Sequence, residues 1–194
     1  MKAFIGIVVV LLILALLCGG LYVSRRNQMV TLNETVKSDW AQVDVVLQRR
    51  SDLIPNLVET VKGFAAQEQT VFDDIAKARA ALGGAQTPKD KIAANGQLDG
   101  ALSRLLLIVE NYPQLRSNEN FLRLQDELAG TENRIAVERK RYDDAIQVYN
   151  TFIGQFPNNI IAGMAGFQRN DAYFAATEAS RAVPKVQFPA PATH

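Results

Sequence analysis

The sequence predicts an all-α protein: long antiparallel helices in a three- to four-helix bundle, preceded by a single N-terminal transmembrane helix. Three observations support this prediction. Residues Ala3–Val23 contain no charged side chain, and a helix needs about 20 such residues to cross a bilayer. The later residues repeat apolar side chains at steps of three and four, which is typical of a helix with one buried face. They contain no alternating run long enough to predict a strand.

The leading apolar run predicts an N-terminal membrane anchor over residues 1–26, with the span at about 3–23. It is longer than the apolar part of a signal peptide, and no Ala-x-Ala cleavage site follows it. Cys18, the single cysteine, follows Leu17, which fits a lipid-attachment motif poorly, so we interpret Cys18 as a small hydrophobic side chain. Lys2 at one end and Arg25 and Arg26 at the other leave the orientation open, with a slight bias towards a cytoplasmic domain.

The bundle domain is predicted over residues 27–182, and its first segment runs from about Gln28 to Leu82. Trp40 lies on the apolar stripe of this segment, so we expect it in the core. Pro55 interrupts the stripe. Because proline removes a helix hydrogen bond, we expect a kink or break near 51–55, with Ser51 as the cap of a new helix.

Three further helical segments follow. Thr87 and Pro88 predict a helix start after Gly83 and Gly84, and this second segment extends to about Asn111. The longest segment opens at Ser117–Asn118 and reaches about Gly154, with apolar spacings near 3.5 that favour coiled-coil-like packing. A short apolar piece at Ile160–Ala165 and a last helix at Asp171–Arg181 are expected next. The proline-containing tail, 183–194, is expected to be irregular.

Composition excludes several classes of function. Lysine and arginine number 21 against 20 acidic residues, so there is no basic excess to favour nucleic-acid binding. Nucleophilic catalysis and zinc binding draw on Cys and His, and this chain has one of each, Cys18 in the apolar run and His194 at the end. No phosphate-binding glycine motif is present. The sequence therefore predicts no catalytic residue, no metal and no cofactor.

Carboxylates at Glu127, Glu132 and Glu138 leave acid–base catalysis as a formal alternative, but acids on a helix are usually solvated and paired with nearby arginines. A second cluster, Thr131–Arg134 with Tyr142 and Tyr149–Asn150, favours an inter-helix hydrogen-bond network over a site.

The residues around the proline form the remaining candidate. Arg49, Arg50, Asp52 and Asn56 could form an interaction surface beside Pro55. The alternative interpretation, which we prefer, is structural: Arg49 or Arg50 pairs with an acid of the longest segment.

The order of motifs resembles the LemA family over nearly the whole chain. The matching stretches, in order, are Trp40 with Val43, Leu47–Gly63 (LQRRSDLIPNLVETVKG), Ala78–Ala80, Tyr112–Pro113, Asn118–Phe121, Thr131–Ala136, Arg141–Tyr142, Tyr149–Asn150, Phe156–Pro157, Ile160–Ala162, Tyr173–Phe174 and Pro184–Phe188. The resemblance implies a bacterial single-pass membrane protein with a long-helix bundle, no established catalytic residue, and work alongside membrane proteins such as proteases.

From these observations we expect a non-catalytic, membrane-anchored scaffold or adaptor in the cell (inner) membrane. Its expected partners are the lipid bilayer and one or more proteins, with no nucleic acid; a homo-oligomer stays open. A membrane-tethered ligand-binding or sensory domain is the alternative, and it requires a pocket between helices near Pro55.

Overall fold

A computed structural model describes residues 1–174 of the chain. Within that range it contains six helices and no strand, which confirms the all-α prediction. The helices are α1 (Lys2–Lys62), α2 (Gln69–Gly84), α3 (Pro88–Val109), α4 (Pro113–Arg116), α5 (Glu119–Gly154) and α6 (Asn158–Ala165).

The predicted anchor and the first bundle helix are one continuous helix. α1 has 61 residues, so it is about 90 Å long at 1.5 Å per residue. Its N-terminal part is long and apolar enough to cross a membrane: a window of 18 residues has a mean hydropathy of 3.0, and no residue of that window is buried. Of the kink or break expected near 51–55, the break and the helix start at Ser51 are wrong, and the kink stays a prediction. Pro55 and Ser51 both lie inside α1, and the chain turns later, between Gly63 and Glu68.

The starts of α3 and α5 agree with the sequence prediction. The Thr87 hydroxyl oxygen accepts the backbone N–H of Asp90 at 3.2 Å, and Pro88 occupies the first turn of α3. The Asn118 side chain likewise accepts the N–H of Phe121 at 3.1 Å at the start of α5. Each cap satisfies a backbone donor that has no partner within its helix.

The C-terminal segment differs from the prediction. α6 ends at Gly166, whose positive φ of 76° is a left-handed conformation that glycine adopts without strain. A helix was expected at Asp171–Arg181, but 171–174 are not helical. The rest of that predicted helix and the tail 183–194 lie outside the described residues.

α1 and α5 run antiparallel. Arg50 pairs with Glu132, and ten residues nearer the span Trp40 packs on Tyr142, ten residues further along α5. The same register places Ile153, in the last turn of α5, beside Met29, and both side chains are buried in one core. α2 and α3 pack against each other on the part of the bundle far from the span.

Two apolar cores fill the bundle. The membrane-proximal core joins α1, α5 and α6, and its buried members are Met29, Val36, Val43, Leu47, Ile135, Tyr142, Ile146, Tyr149, Ile153, Ile161 and Ala162. The distal core joins the end of α1 to α2, α3, α4 and the start of α5, and includes Ile54, Leu57, Val61, Phe72, Ile75, Leu98, Leu105, Leu115 and Phe121. Between Leu47 and Ile54 the inward positions of α1 are polar: Arg50 and Ser51 are buried there.

Candidate functional site

The four predicted surface residues divide between two sides of α1. Arg50 is buried and points into the bundle, whereas Arg49, Asp52 and Asn56 are exposed. Positions three, four and seven apart share one face of a helix, so these three residues form one stripe, which we call the α1 surface stripe. The two neighbouring arginines therefore lie in different environments, one exposed and one buried.

Arg50 joins three helices at the boundary between the two cores. Its Nη1 lies 2.7 Å from Asp99 Oδ1 on α3 and 2.6 Å from Glu132 Oε2 on α5, while its side chain is only 9% exposed. Burying a charge is costly unless it is paired, and Asp99 and Glu132 supply two partners. We call these three side chains the Arg50 triad. The preferred interpretation, in which Arg49 or Arg50 pairs with an acid of the longest segment, is confirmed for Arg50.

The surroundings of Asp99 change the pKa of its carboxyl. Burial raises the pKa of its carboxyl above the ordinary 3.8, Glu132 raises it further, and Arg50 opposes both effects. Asn95, one turn earlier, donates from Nδ2 to Asp99 Oδ2 at 3.1 Å. The pair of Asp99 and Glu132 is thus held by a guanidinium rather than facing an open cleft, which is an arrangement for joining helices.

A second arginine explains why α1 passes through Pro55. In an α-helix the N–H of residue 55 would donate to the carbonyl of Ser51, and proline has no N–H. Arg79 of α2 donates from Nε to that carbonyl oxygen at 3.0 Å. The hydrogen bond that Pro55 removes is therefore replaced by a side chain 28 residues further along the chain.

The α1 surface stripe borders the exposed face of α5. Arg49 lines an open groove of about 160 Å³ with Glu127, Gly130, Thr131 and Arg134. Further along, Asn56 lines an open groove of about 240 Å³ with Thr60, Asn120, Arg123, Leu124 and Glu127. Charges of both signs alternate along these grooves, with Glu127 shared between them. Such a surface matches the polar rim of a protein–protein contact.

Asp52 lies at the outer edge of the stripe, where its carboxylate accepts a hydrogen bond from Gln48 Nε2 at 2.8 Å. The remaining acid of interest, Glu138, pairs with Arg141 at 3.2 Å. Among residues 1–174, no group of three or more His, Cys, Asp or Glu side chains could hold a metal ion.

Polar side chains of α5 hold residues 168–174 against that helix. We call this set of contacts the C-terminal clasp. Asn150 donates from Nδ2 to the carbonyl of Asn170 at 2.6 Å and accepts the N–H of Asn170 at 2.9 Å. Tyr149 donates its hydroxyl to the carbonyl of Gln168 at 2.9 Å, and the Asp143 carboxylate accepts the N–H of Phe174 at 3.0 Å. Burial raises the pKa of both Tyr149 and Asp143.

Aromatic packing completes the clasp. Trp40 of α1 lies with its ring centroid 5.1 Å from Tyr142 and 6.4 Å from Phe174, and the Arg139 guanidinium lies 4.4 Å from the centroid of Phe174. The expectation that Trp40 is a core residue is met, because it packs on the membrane-proximal core while partly exposed.

The expected inter-helix network is present only in part. Glu132 pairs with Arg50 of α1, whereas Thr131 donates to the Leu128 carbonyl of its own helix. Tyr149 and Asn150 bond to the C-terminal segment rather than to another helix.

Sequence reasoning missed Asp99, Arg79, and Asp143 with its partner Phe174. Each makes its contact with a residue far away in the chain, so no local pattern indicates it. The one available signal was Pro55 itself, because a proline within a helix leaves the carbonyl four residues earlier without its backbone donor.

Comparison with known proteins identifies relatives of this chain. The model of the LemA family matches residues 39–188. "Magnetosome protein MamQ 2" of Paramagnetospirillum magneticum is 29% identical over 176 residues, covering 77% of this chain and 64% of that protein. "Magnetosome protein MamQ" of Magnetospirillum gryphiswaldense is 28% identical over 171 residues (75% and 63%). "Protein LemA" of Metamycoplasma hominis is 22% identical over 161 residues (82% and 73%). The chain spans less than two thirds of the length of these magnetosome relatives.

Proposed function

The chain belongs to the LemA family, and we propose that it is a non-catalytic, single-pass scaffold of the cell (inner) membrane that holds protein partners beside the bilayer. The family and the apolar N-terminal part of α1 support a membrane-associated protein. The scaffold role is our interpretation of how the bundle is built.

The observation that carries this proposal is the continuity of α1 from the span to Lys62. A proline within a helix normally costs about 3 kcal/mol or more and bends or ends it. Here Arg79 donates a hydrogen bond to the Ser51 carbonyl in place of the missing N–H. Arg50, the residue before Ser51, joins this part of α1 to α3 and α5 through its two ion pairs. A helix that is supported by these two side-chain contacts is suited to holding a surface at a fixed place relative to the membrane.

The α1 surface stripe with the facing side of α5 is the proposed binding surface for a protein partner. Arg49, Asp52 and Asn56 are exposed there, and Glu127 and Arg134 lie across the groove. Arginine is enriched in protein interfaces, and its planar guanidinium can bind a carboxylate through two hydrogen bonds. A membrane protein with an acidic and amide-rich helix or loop, a membrane protease among the candidates, would fit this surface.

The sensory alternative is less well supported. A small-molecule site is normally a concave, largely apolar pocket that surrounds its ligand. Next to Pro55 the core is filled, since Ile54 and Leu57 are each 1% exposed, and the grooves described beside them are open and lined mainly by polar side chains. These features favour a macromolecular partner over a small ligand.

Site-specific photo-cross-linking of the full-length protein in intact cells tests the proposal. A photoreactive residue replaces Arg49 in one variant and Lys140 in the matched control, because Lys140 is also an exposed cation but lies on α5 away from the stripe. We expect a defined protein adduct from position 49 that position 140 does not give. The same adduct should weaken when Asp52 and Asn56 are both replaced by alanine. Identical adduct patterns at both positions, or no adduct at 49, would contradict the proposal.

A further inference from the structure

The exposed apolar face of α6 has no partner among the described residues. Phe156, just before the helix, is 80% exposed, Ile160 is 54% exposed and Met164 is 73% exposed. The three are spaced four residues apart, which places Ile160 and Met164 on one side of the helix. The opposite side, with Ile161 and Ala162, is buried in the membrane-proximal core. Exposed apolar patches of this kind mark contact sites with proteins or membranes.

The position of this face relative to the span indicates what covers it. The α1–α5 register places the end of α5 beside about Gln28, and α6 follows directly and packs on both helices. Tyr22, which belongs to the apolar run, is partly buried against the same membrane-proximal core. Since Val23 and Met29 are separated by about 9 Å along a helix, this end of the bundle lies at the bilayer boundary.

The charge distribution at this end agrees with a lipid surface. Residues 1–33 and 145–170 contain no aspartate or glutamate, although the chain has 20 acids in all. Arg25 and Arg26 lie directly after the span. Cations close to the membrane surface are attracted to anionic headgroups, and aromatic side chains such as Phe156 are suited to the acyl–headgroup boundary.

We infer that α6 and the turn before it form a second membrane contact, in which Phe156, Ile160 and Met164 insert into the lipid interface beside the transmembrane part of α1. Amphipathic helices at interfaces bury their apolar face about 5–10 Å into this zone. The contact would fix the bundle to the bilayer at two points, the span and α6. It does not depend on the scaffold role, because it concerns the lipid and not a protein partner.

Tryptophan quenching in vesicles tests this inference on the full-length protein. Trp40 is the single tryptophan, so a Trp40→Phe background allows a reporter at one chosen position. Ile160→Trp is the reporter, and Leu107→Trp, on α3 and also exposed at 64%, is the matched control far from the span. The proteins are reconstituted into vesicles of phosphatidylcholine and phosphatidylglycerol that contain lipids brominated in the upper part of the acyl chains.

We expect lipid quenching at Ile160→Trp several-fold above that at Leu107→Trp. Adding Phe156→Ser and Met164→Ser to the Ile160→Trp reporter should bring its quenching down to the control level. Equal quenching at positions 160 and 107 would overturn the inference, and so would quenching that is unaffected by the two serines. Protection of the position-160 reporter from aqueous acrylamide without lipid quenching would also overturn it, since a protein or a second copy would then cover the face.

Discussion

Replacing Arg79 with methionine tests why α1 continues through its proline. The variant keeps most of the aliphatic stem of Arg79 but removes the Nε donor that bonds the Ser51 carbonyl at 3.0 Å. Ser51 is 6% exposed, and a buried acceptor left without a donor costs about 1–3 kcal/mol. Because Arg79 itself is exposed and water can partly replace it, we expect a loss of about 1–2 kcal/mol in the free energy of unfolding.

A double-mutant cycle with Pro55→Ala separates this hydrogen bond from other roles of Arg79. Alanine at position 55 supplies the N–H that the Ser51 carbonyl accepts in a regular helix, so Arg79 is no longer needed there. In the Pro55→Ala background, Arg79→Met should therefore cost less, with an interaction energy of about 1 kcal/mol.

The assay is urea unfolding of the full-length protein in detergent micelles, followed by far-UV circular dichroism and by the fluorescence of Trp40. Arg104→Met is the matched control, because Arg104 joins α3 to α2 through an exposed ion pair with Asp74 at 3.0 Å and contacts no carbonyl freed by proline. We expect Arg104→Met to cost less than about 1 kcal/mol and to show no interaction with Pro55→Ala. An interaction energy of zero between Arg79→Met and Pro55→Ala would refute the reasoning.

Three further predictions concern the triad and the clasp. Arg50→Met should destabilise the bundle by about 2–3 kcal/mol in urea unfolding, below the usual cost of breaking a buried pair because Asp99 and Glu132 keep 39% and 48% exposure; a loss under about 0.5 kcal/mol would contradict it. The pKa of Asp99 is raised, so the folded state binds a proton on this carboxyl more readily than the unfolded state. The stability gained from this proton is complete below pH 3.8 and is lost as the pH rises through the folded pKa. Asp99→Asn should therefore reduce the change in the urea midpoint between acid and neutral pH, and an unchanged pH dependence would count against it. Asn150→Ala removes the bonds to Asn170, so hydrogen exchange of residues 168–174 should accelerate while that of α3 stays the same, and unchanged exchange at 168–174 would show that the clasp is held by other contacts.

The parts of the fold that depend on neighbouring residues could be predicted from the sequence. Thr87 and Asn118 cap their helices because each cap bonds a backbone N–H three residues later. The apolar stripe of α1 likewise predicted the burial of Val43 and Leu47, and both are buried.

The parts that depend on distant residues could not. Pro55 predicts a break by any local rule, whereas the helix continues and Arg79, on another element, bonds the carbonyl that the proline leaves without a backbone donor. A helix was expected from Asp171 onward, but there the N–H of Phe174 donates to Asp143 on α5. In the candidate surface, Arg49, Asp52 and Asn56 are exposed, as a binding surface requires. Arg50 follows Arg49 by one residue, and the rotation of the helix between them turns its side chain into the bundle. Composition alone does not distinguish the two arginines.

Because α1 continues without a break from the proposed span to Lys62, a tilt of that span would also move the distal core. Val23 and Lys62 are about 60 Å apart along the helix axis. Membrane helices lean by about 20° on average and adjust this angle to the thickness of the surrounding hydrocarbon. A lean that changes by about 10° swings the Lys62 end sideways by about 10 Å. For the proposed transmembrane helix, bilayer thickness would thereby set how far from the lipid, and in which direction, the far end of the molecule reaches.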